Sequence, residues 1–356
     1  MANYFCIMNR TGTRAWRVLP IQLELEKEGH HVIAMNLPQV ASQEYEAILE
    51  WADVLTFQMV NAKGVVDRAK EKGIYTIFDC DDLIEVVPPK HPSYKMVQDK
   101  KFWRDFKALL KKVDLVTVSN NRLYERYKKY NKNIVVLPNF IPDYWERPDN
   151  RIENRKIRIG WAGGLSHQED LDFIAPVVKK IIQKYPQVKF VYTGGGGWTS
   201  NNPDQVYRFG EDHFKDIPTD RREFSTGSRV ETWPDKLNSM NLDIALAPLD
   251  ENEFSKHKTH IKYFEYGLNH WAGVYQKFLY EDVVKHGKTG FLATTPAEWI
   301  KYIELLIGDR GLREEIGRNA YIDIKNHHSF SRNREQWLQV YRTTGENRTK
   351  PSNKGK

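Results

Sequence analysis

The chain has 356 residues, 40% of them apolar and 12% aromatic, which is room for two domains with cores of their own and excludes a disordered or low-complexity protein. A net charge of +7 points towards anionic partners, whether nucleotides, nucleic acid or an acidic membrane surface, and does not choose among them. Two cysteines, Cys6 and Cys80, are too few for a disulfide framework or a thiolate zinc site.

In chain order, NYFCIM (3–8) reads as a buried strand. A polar loop, NRTGTR (9–14), leads into a helix-like stretch, AWRVLPIQLELEKEG (15–29), that Gly29 stops. HHVIAMN (30–36), VLTFQM (54–59), IYTIFD (74–79), DLVTVS (114–119) and NIVVLPN (133–139) continue the strands, with a helix ending at Gly73 before the fourth. Strands alternating with helices imply a parallel sheet covered on both faces. Both cysteines fall in these apolar runs and read as buried free thiols of a reducing compartment. The stretch IPDYWERPDNRIENRK (141–156) has two prolines, many charges and no period, and the domain boundary is placed there.

The pattern restarts at KIRIGWAGG (156–164). A helix, DLDFIAPVVKKIIQKYP (170–186), a strand, VKFVYTG (188–194), a helix, PDKLNSM (234–240), and a strand, DIALAPL (243–249), follow. A helix over 256–267 and a weaker strand, VYQKF (274–278), come next. Residues 299–342 read as amphipathic helix, and 343–356 as a disordered basic tail. No basic leader precedes an apolar run, and no apolar run approaches the ~18 residues of a spanning helix. The expectation is a cytoplasmic protein of two doubly wound α/β domains, with ligands outside the C-terminal ends of the strands.

Residues 256–267, KHKTHIKYFEYG, crowd three lysines and two histidines before one glutamate. On a helix, Lys258, Lys262 and Glu265 would share a face, and Ile261, Phe264 and Leu268 would form the apolar stripe that seats it. Lysines at a helix N-terminus make an anion site, and a glutamate one turn deeper suits two sugar hydroxyls, so a diphosphate joined to a ribose fits. A solvated face with a Lys262–Glu265 pair fits the same residues.

In WAGGLSHQEDL (161–171) a strand ends at Gly163-Gly164, where small residues permit a phosphate to approach the backbone. His167 there is placed to donate to an anion or a sugar hydroxyl, or to sit near a plain helix cap. TGGGGW (193–198) reads as a structural or lid-like loop. In FDCDDL (78–83), Asp79, Asp81 and Asp82 offer oxygen ligands for a divalent metal, a carboxylate for a substrate hydroxyl, or a helix cap. In NRTGTRAWR (9–17), Gly12 and Arg17 flank the first strand-to-helix turn, and Arg14 and Arg17 also read as surface charges.

These segments, in this order, resemble the GT-B glycosyltransferases, specifically the large retaining family 4 related to sucrose and glycan synthases. The resemblance spans nearly the whole chain. DIALAPLDENEFSKHKTHIKYFEYG looks like the family's donor-site segment, and YEDVVKHGKTGFLATTPAEW (280–299) like the strand, loop and helix after it. GWAGGLSHQEDL, FDCDDL, VDLVTVSNNRL (113–123) and NIVVLPNFI (133–141) match one subgroup.

The resemblance implies a GT-B fold of two doubly wound Rossmann-like domains facing a central cleft. Residues 1–150 would form the acceptor-side domain and 151–327 the nucleotide-sugar donor domain. A C-terminal helix, 328–342, would cross back to the first. The implied activity is that of a retaining hexosyltransferase-like enzyme, moving a sugar from a nucleoside diphosphate sugar, a UDP-sugar such as UDP-glucose, to an acceptor hydroxyl. Glu265 would bind the donor ribose. Lys258 and Lys262 would lie near the diphosphate, with Gly163 and Gly164 backing it and His167 beside them. Asp81 and Lys258 would carry catalysis, and Gly12, Arg17 and Asp82 would lie on the acceptor side. No metal or other cofactor is expected, since lysines supply the charge.

Three features depart from the pattern. Many relatives carry an Arg/Lys pair on the 161–171 loop, where this chain offers only His167 between Trp161 and Asp170, and Lys258 and Lys262 would replace that charge. His257 stands where the first of two glutamates is common, and Asp81-Asp82 where many relatives carry His-Asp. The acceptor stays open among a glycan, a lipid-linked glycan and a hydroxymethylated DNA base. The basic charge suits phosphate-backbone contacts or an anionic membrane surface. No obligate protein partner is implied. The alternative is a nucleotide-sugar-binding protein that has lost transfer.

Overall fold

The computed structural model describes residues 1–8, 12, 14–36, 43–59, 63–149, 156–194 and 210–346. The chain divides into two compact units: Met1–Val86, Lys95–Pro142 and Phe330–Lys356 in unit 1, and Val87–Tyr94 with Asp143–Ser329 in unit 2.

Unit 1 is built on a parallel sheet of β1 (Asn3–Met8), β2 (His31–Asn36), β3 (Val54–Gln58), β4 (Tyr75–Cys80), β5 (Leu115–Val118) and β6 (Ile134–Val136), in the order β2-β1-β3-β4-β5-β6. Successive strand residues point to opposite faces, and here both faces are buried. Phe5, Leu55, Phe78 and Val116 join the core that includes Leu49, Val66 and Leu109, from α2 (Gln43–Trp51), α3 (Lys63–Glu71) and α4 (Lys100–Lys112). Their neighbours Tyr4, Val54, Ile77 and Leu115 join Ile21 and Leu25 of α1 (Leu19–Lys27), and Trp337, Leu338 and Tyr341 of the last helix. This alternation is why each strand reads as a continuous apolar run.

The expected helix over 15–29 is two pieces, Arg14–Arg17 and α1, whose Pro20 sits in the first turn where a missing N–H costs nothing. Gly29 and Gly73 follow their helices at φ +81° and +72°, the left-handed conformation that favours glycine. α5 (Asn121–Tyr127) is capped by the Asn120 side chain, which accepts from Leu123 N.

Unit 2 holds the second parallel sheet: β7 (Ile157–Gly163), β8 (Val188–Gly194), β9 (Arg222–Thr226), β10 (Ile244–Ala247), β11 (Ala272–Gln276) and β12 (Phe291–Ala293), in the order β12-β11-β10-β7-β8-β9. The sequence shows no clear sign of β9, which is largely polar, or of β12, which is three residues long. β11 lies earlier than VYQKF, because Lys277–Tyr280 already forms a helical turn. α6 (Gln168–Lys184) and α9 (Pro296–Gly308) cover one sheet face through Leu171, Ile174, Val178, Trp299 and Ile303. α7 (Trp233–Met240) leads back to β10, and α8 (Ile261–Leu268) follows it. α10 (Arg310–His327) runs against α8, where a side chain on Gly267 would collide with Ile324 and Ala320.

The chain ends its described course in α11 (Phe330–Glu346), part of unit 1. Residues 343–346 are therefore helical rather than part of a disordered tail. Thr344 is buried, and a side chain on Gly345 would meet Ala2 Cβ at 3.1 Å. Residues 347–356 lie outside the described residues.

In each sheet the strand order reverses once, between β1 and β3 in unit 1 and between β7 and β10 in unit 2. At such a switch point, neighbouring connections leave on opposite faces, and a crevice opens beyond the strand ends.

Candidate functional site

In unit 2, β7 reaches its switch point at Gly163. A Cβ on Gly163 would collide with the Trp161 ring and lie 3.0 Å from Lys262 Nζ, so the backbone passes directly over that ammonium. Gly164 has open space where a side chain would be. Beyond this turn a short helical segment, Leu165–His167, enters α6.

The expected helix over 256–267 begins later. The short helix Glu253–Lys256, capped by the Asn252 side chain, stops at His257, whose Nδ1–H donates to Glu253 O at 2.7 Å. α8 starts only at Ile261. Lys258 therefore lies in the connector and does not share a helix face with Lys262 and Glu265. Nor is that face solvated: Lys262 to Leu268 are all buried. Ile261, expected to seat the helix, is only half-buried.

Lys262 is 8% exposed. Its ammonium donates to Ala162 O and lies 5.2 Å from the Trp161 ring centroid. Burial lowers its pKa to about 8, partly offset by Glu265 and Asp170. Glu265, one turn on, is 5% exposed and accepts from Trp233 Nε1–H at 2.8 Å. Burial raises its pKa to about 7 against the opposing pull of Lys262 and the Trp233 hydrogen bond.

Lys258 Nζ lies 4.6 Å from the Phe254 ring centroid. Among the described residues, no carboxylate is within ion-pair reach of it. The Phe254 ring also packs edge-to-face with His91, at 5.2 Å between ring centroids. His91 belongs to Val87–Tyr94, a segment anchored by Lys90, whose N–H donates to Glu169 and whose ammonium pairs with Asp172 at 2.5 Å.

His167 Nδ1 meets Asp170 Oδ2 at 2.5 Å. Asp170 is buried, and its other oxygen accepts from Asp250 N at 2.7 Å. Burial, reinforced by Lys262 and Lys258, lowers the His167 pKa to about 3. The ring is thus neutral at pH 7, with its proton on Nδ1 facing the carboxylate and a bare Nε2. It can accept from a hydroxyl but has no N–H left to donate, to an anion or to a sugar hydroxyl, as both expected ligand contacts would require.

The structure thus brings Gly163, Gly164, His167, Lys258, Lys262 and Glu265 together around the ends of β7 and β10. Sequence reasoning missed Trp233 and Asp170. WPDKL signals a helix start, and nothing local says that its indole reaches a glutamate in a later crossover. The His-x-x-Asp spacing was the one available sign of Asp170. Of TGGGGW, Thr193 and Gly194 end β8, and the remaining residues lie outside the described ones.

In unit 1, Gly12 is exposed in the turn after β1, its carbonyl accepting from Ala15 N at 3.1 Å. Arg17 is not a surface charge. It is 1% exposed and spans both oxygens of Asp79, at 3.0 and 2.6 Å. It also donates to Leu137 O and to Asn139 Oδ1, and its guanidinium lies 4.6 Å from the Trp337 ring centroid. Its donors are largely spent inside the unit. Asp79 takes a further bond from Thr117 Oγ1 at 2.5 Å.

Asp81 is 4% exposed, and its Oδ1 is buried without a hydrogen-bond partner. Burial and the neighbouring Asp82 push its carboxyl well above the usual range, against the pull of Arg17. Asp82 is half-buried. On the adjacent strand, Gln58 is paired in register with Asp79, fully buried, and has neither amide atom bonded. Among the described residues, no group of three His, Cys, Asp or Glu side chains is arranged to hold a metal ion. Cys6 and Cys80 are buried free thiols. No helix among the described residues is long and apolar enough to cross a membrane.

The architecture is that of the GT-B glycosyltransferases, two Rossmann-like units each on a six-stranded parallel sheet. Sucrose-phosphate synthase from Thermosynechococcus elongatus superposes with a TM-score of 0.74 at 13% identity, over 96% of this chain and 99% of that one. Anabaena HepE, solved in complex with UDP, gives 0.67 at 13% identity over 96% and 100%. A glycosyltransferase from Rickettsia africae gives 0.68 at 11% identity over 96% and 98%. No protein-family model matches the chain. No curated protein matches it in sequence.

Proposed function

We propose that the chain is a glycosyltransferase of the retaining family 4 type. It would move a sugar from a nucleoside diphosphate sugar, a UDP-sugar, to an acceptor hydroxyl with retention of configuration. One observation carries this reading: a buried lysine and a buried glutamate one turn apart on α8, at the switch point of a sheet, beneath a Gly-Gly turn. The fold comparison supports it, since HepE has been solved with UDP and with UDP-glucose.

Breaking the bond from sugar to phosphate leaves negative charge on the diphosphate. Lys262, under the Gly163 backbone, and Lys258, from the connector, would stabilise that charge as it develops. Glu265 would accept from the ribose hydroxyls, and His167 Nε2 would accept from a hydroxyl of the donor. The sugar becomes oxocarbenium-like, and the acceptor attacks the face the nucleotide leaves. A donor phosphate oxygen takes the acceptor's proton, so no strong protein base is needed. Asp81 is the residue of unit 1 assigned to the reacting sugar or acceptor.

The test is release of nucleoside diphosphate from a panel of nucleotide sugars, each alone, with simple glycans and with hydroxymethylated DNA, beside Lys258→Ala. Release that requires one sugar and is lost in the variant supports transfer, and the acceptor that accelerates it names the target class. Nucleotide binding without release in any arm would leave a nucleotide-sugar-binding protein.

A further inference from the structure

We propose that Trp233 is a positioning residue for the ribose of the bound nucleotide: its indole N–H holds Oε1 of Glu265 and leaves Oε2 to accept from the ribose hydroxyls. The inference rests on the nucleotide reading above and concerns a residue that takes no part in the chemistry itself.

The Glu265 carboxylate has few other suitors. Lys262, its cationic neighbour on α8, attracts it but donates its hydrogen bond to Ala162 O. Asn269 bonds the backbone carbonyl of Glu265, not its side chain. The indole reaches in from another crossover, being the first residue of α7, after β9 at the sheet edge, with Pro234 fixing the turn behind it. The donor type matters. An arginine in this position would engage both carboxylate oxygens at once, whereas an indole has one N–H and can occupy only one. A buried carboxylate with one oxygen fixed and the other open is oriented yet unsatisfied, which is what a hydroxyl-binding group requires.

The experiment compares calorimetric Kd values for UDP and 2′,3′-dideoxy-UDP, with the wild-type chain and with Trp233→Phe, which keeps the ring and deletes the donor. The wild type should prefer UDP. The variant should lose about tenfold of that preference. Its affinity for the dideoxy nucleotide should move by less than about twofold, which also shows that the site remains folded. An undiminished preference in the variant overturns the proposal. Equal loss of both nucleotides also overturns it, assigning Trp233 to packing. Equal wild-type affinity for the two nucleotides removes Glu265 as the ribose ligand, and the proposal with it. A wild type that binds neither nucleotide refutes the nucleotide reading itself, an outcome distinct from the others.

Discussion

Lys262 and Glu265 stand one helical turn apart, both buried, and burial draws their ionisations together, the ammonium down to about 8 and the carboxyl up to about 7. A diphosphate needs the lysine charged, and two ribose hydroxyls need the glutamate ionised. Nucleotide affinity should therefore rise as pH passes through 7 and fall as it passes through 8. The limbs are apparent values of the coupled pair. Titration calorimetry between pH 6 and 9 checks this, and Glu265→Gln should erase the acid limb. An affinity flat across that range would remove both residues from the site.

Lys258→Ala should act on charge without disturbing the fold. The side chain lies in a connector and rests on Phe254, a contact worth roughly 0.5–1 kcal/mol. Turnover should fall on the order of a hundredfold, the scale for removing a group that stabilises developing charge. Circular dichroism melts should move little. A large loss of melting temperature with unchanged turnover would make Lys258 a packing residue.

Arg17→Met should destabilise unit 1 strongly. The pair with Asp79 has 0% and 3% of its two side chains exposed, and stranding one partner of a buried pair costs roughly 3–5 kcal/mol. Arg17→Met combined with Asp79→Leu should recover much of that loss, because both charges then leave together. Urea unfolding of the wild type, Arg17→Met, Asp79→Leu and the double variant decides. Additive losses would mean the two residues do not act as a pair.

Gln58→Leu should stabilise the chain. Neither amide atom has a partner, and a buried unsatisfied polar group costs roughly 1–3 kcal/mol. A lower denaturation midpoint in the variant would mean that the amide is satisfied in solution, by a buried water.

The sheets were legible because their strands are buried on both faces and read as unbroken apolar runs such as NYFCIM and VLTFQM. What failed was whatever depends on distant partners. Arg17 sits after β1, where a loop cation would face a ligand, and only the later Asp79 and Trp337 turn it inward. Helical spacing placed Lys258 on α8, yet the chain breaks at His257 because the Asn252-capped turn already ends there. In the candidate site, glycines, lysines and a glutamate in tight order were visible. Trp233, set by the return from β9, carried no local mark.

The placement of α11 has a consequence for biosynthesis. One face of the unit 1 sheet is covered by Ile21 and Leu25 of α1 together with Trp337, Leu338 and Tyr341 of α11, so during translation that face stays partly uncovered until α11 has been made. Unit 2 has all its segments by Ser329 and can mature first. Unit 1 is thus completed only by a segment that lies beyond all of unit 2, and a chain cut before Phe330 should expose apolar surface that the chain made through α11 hides.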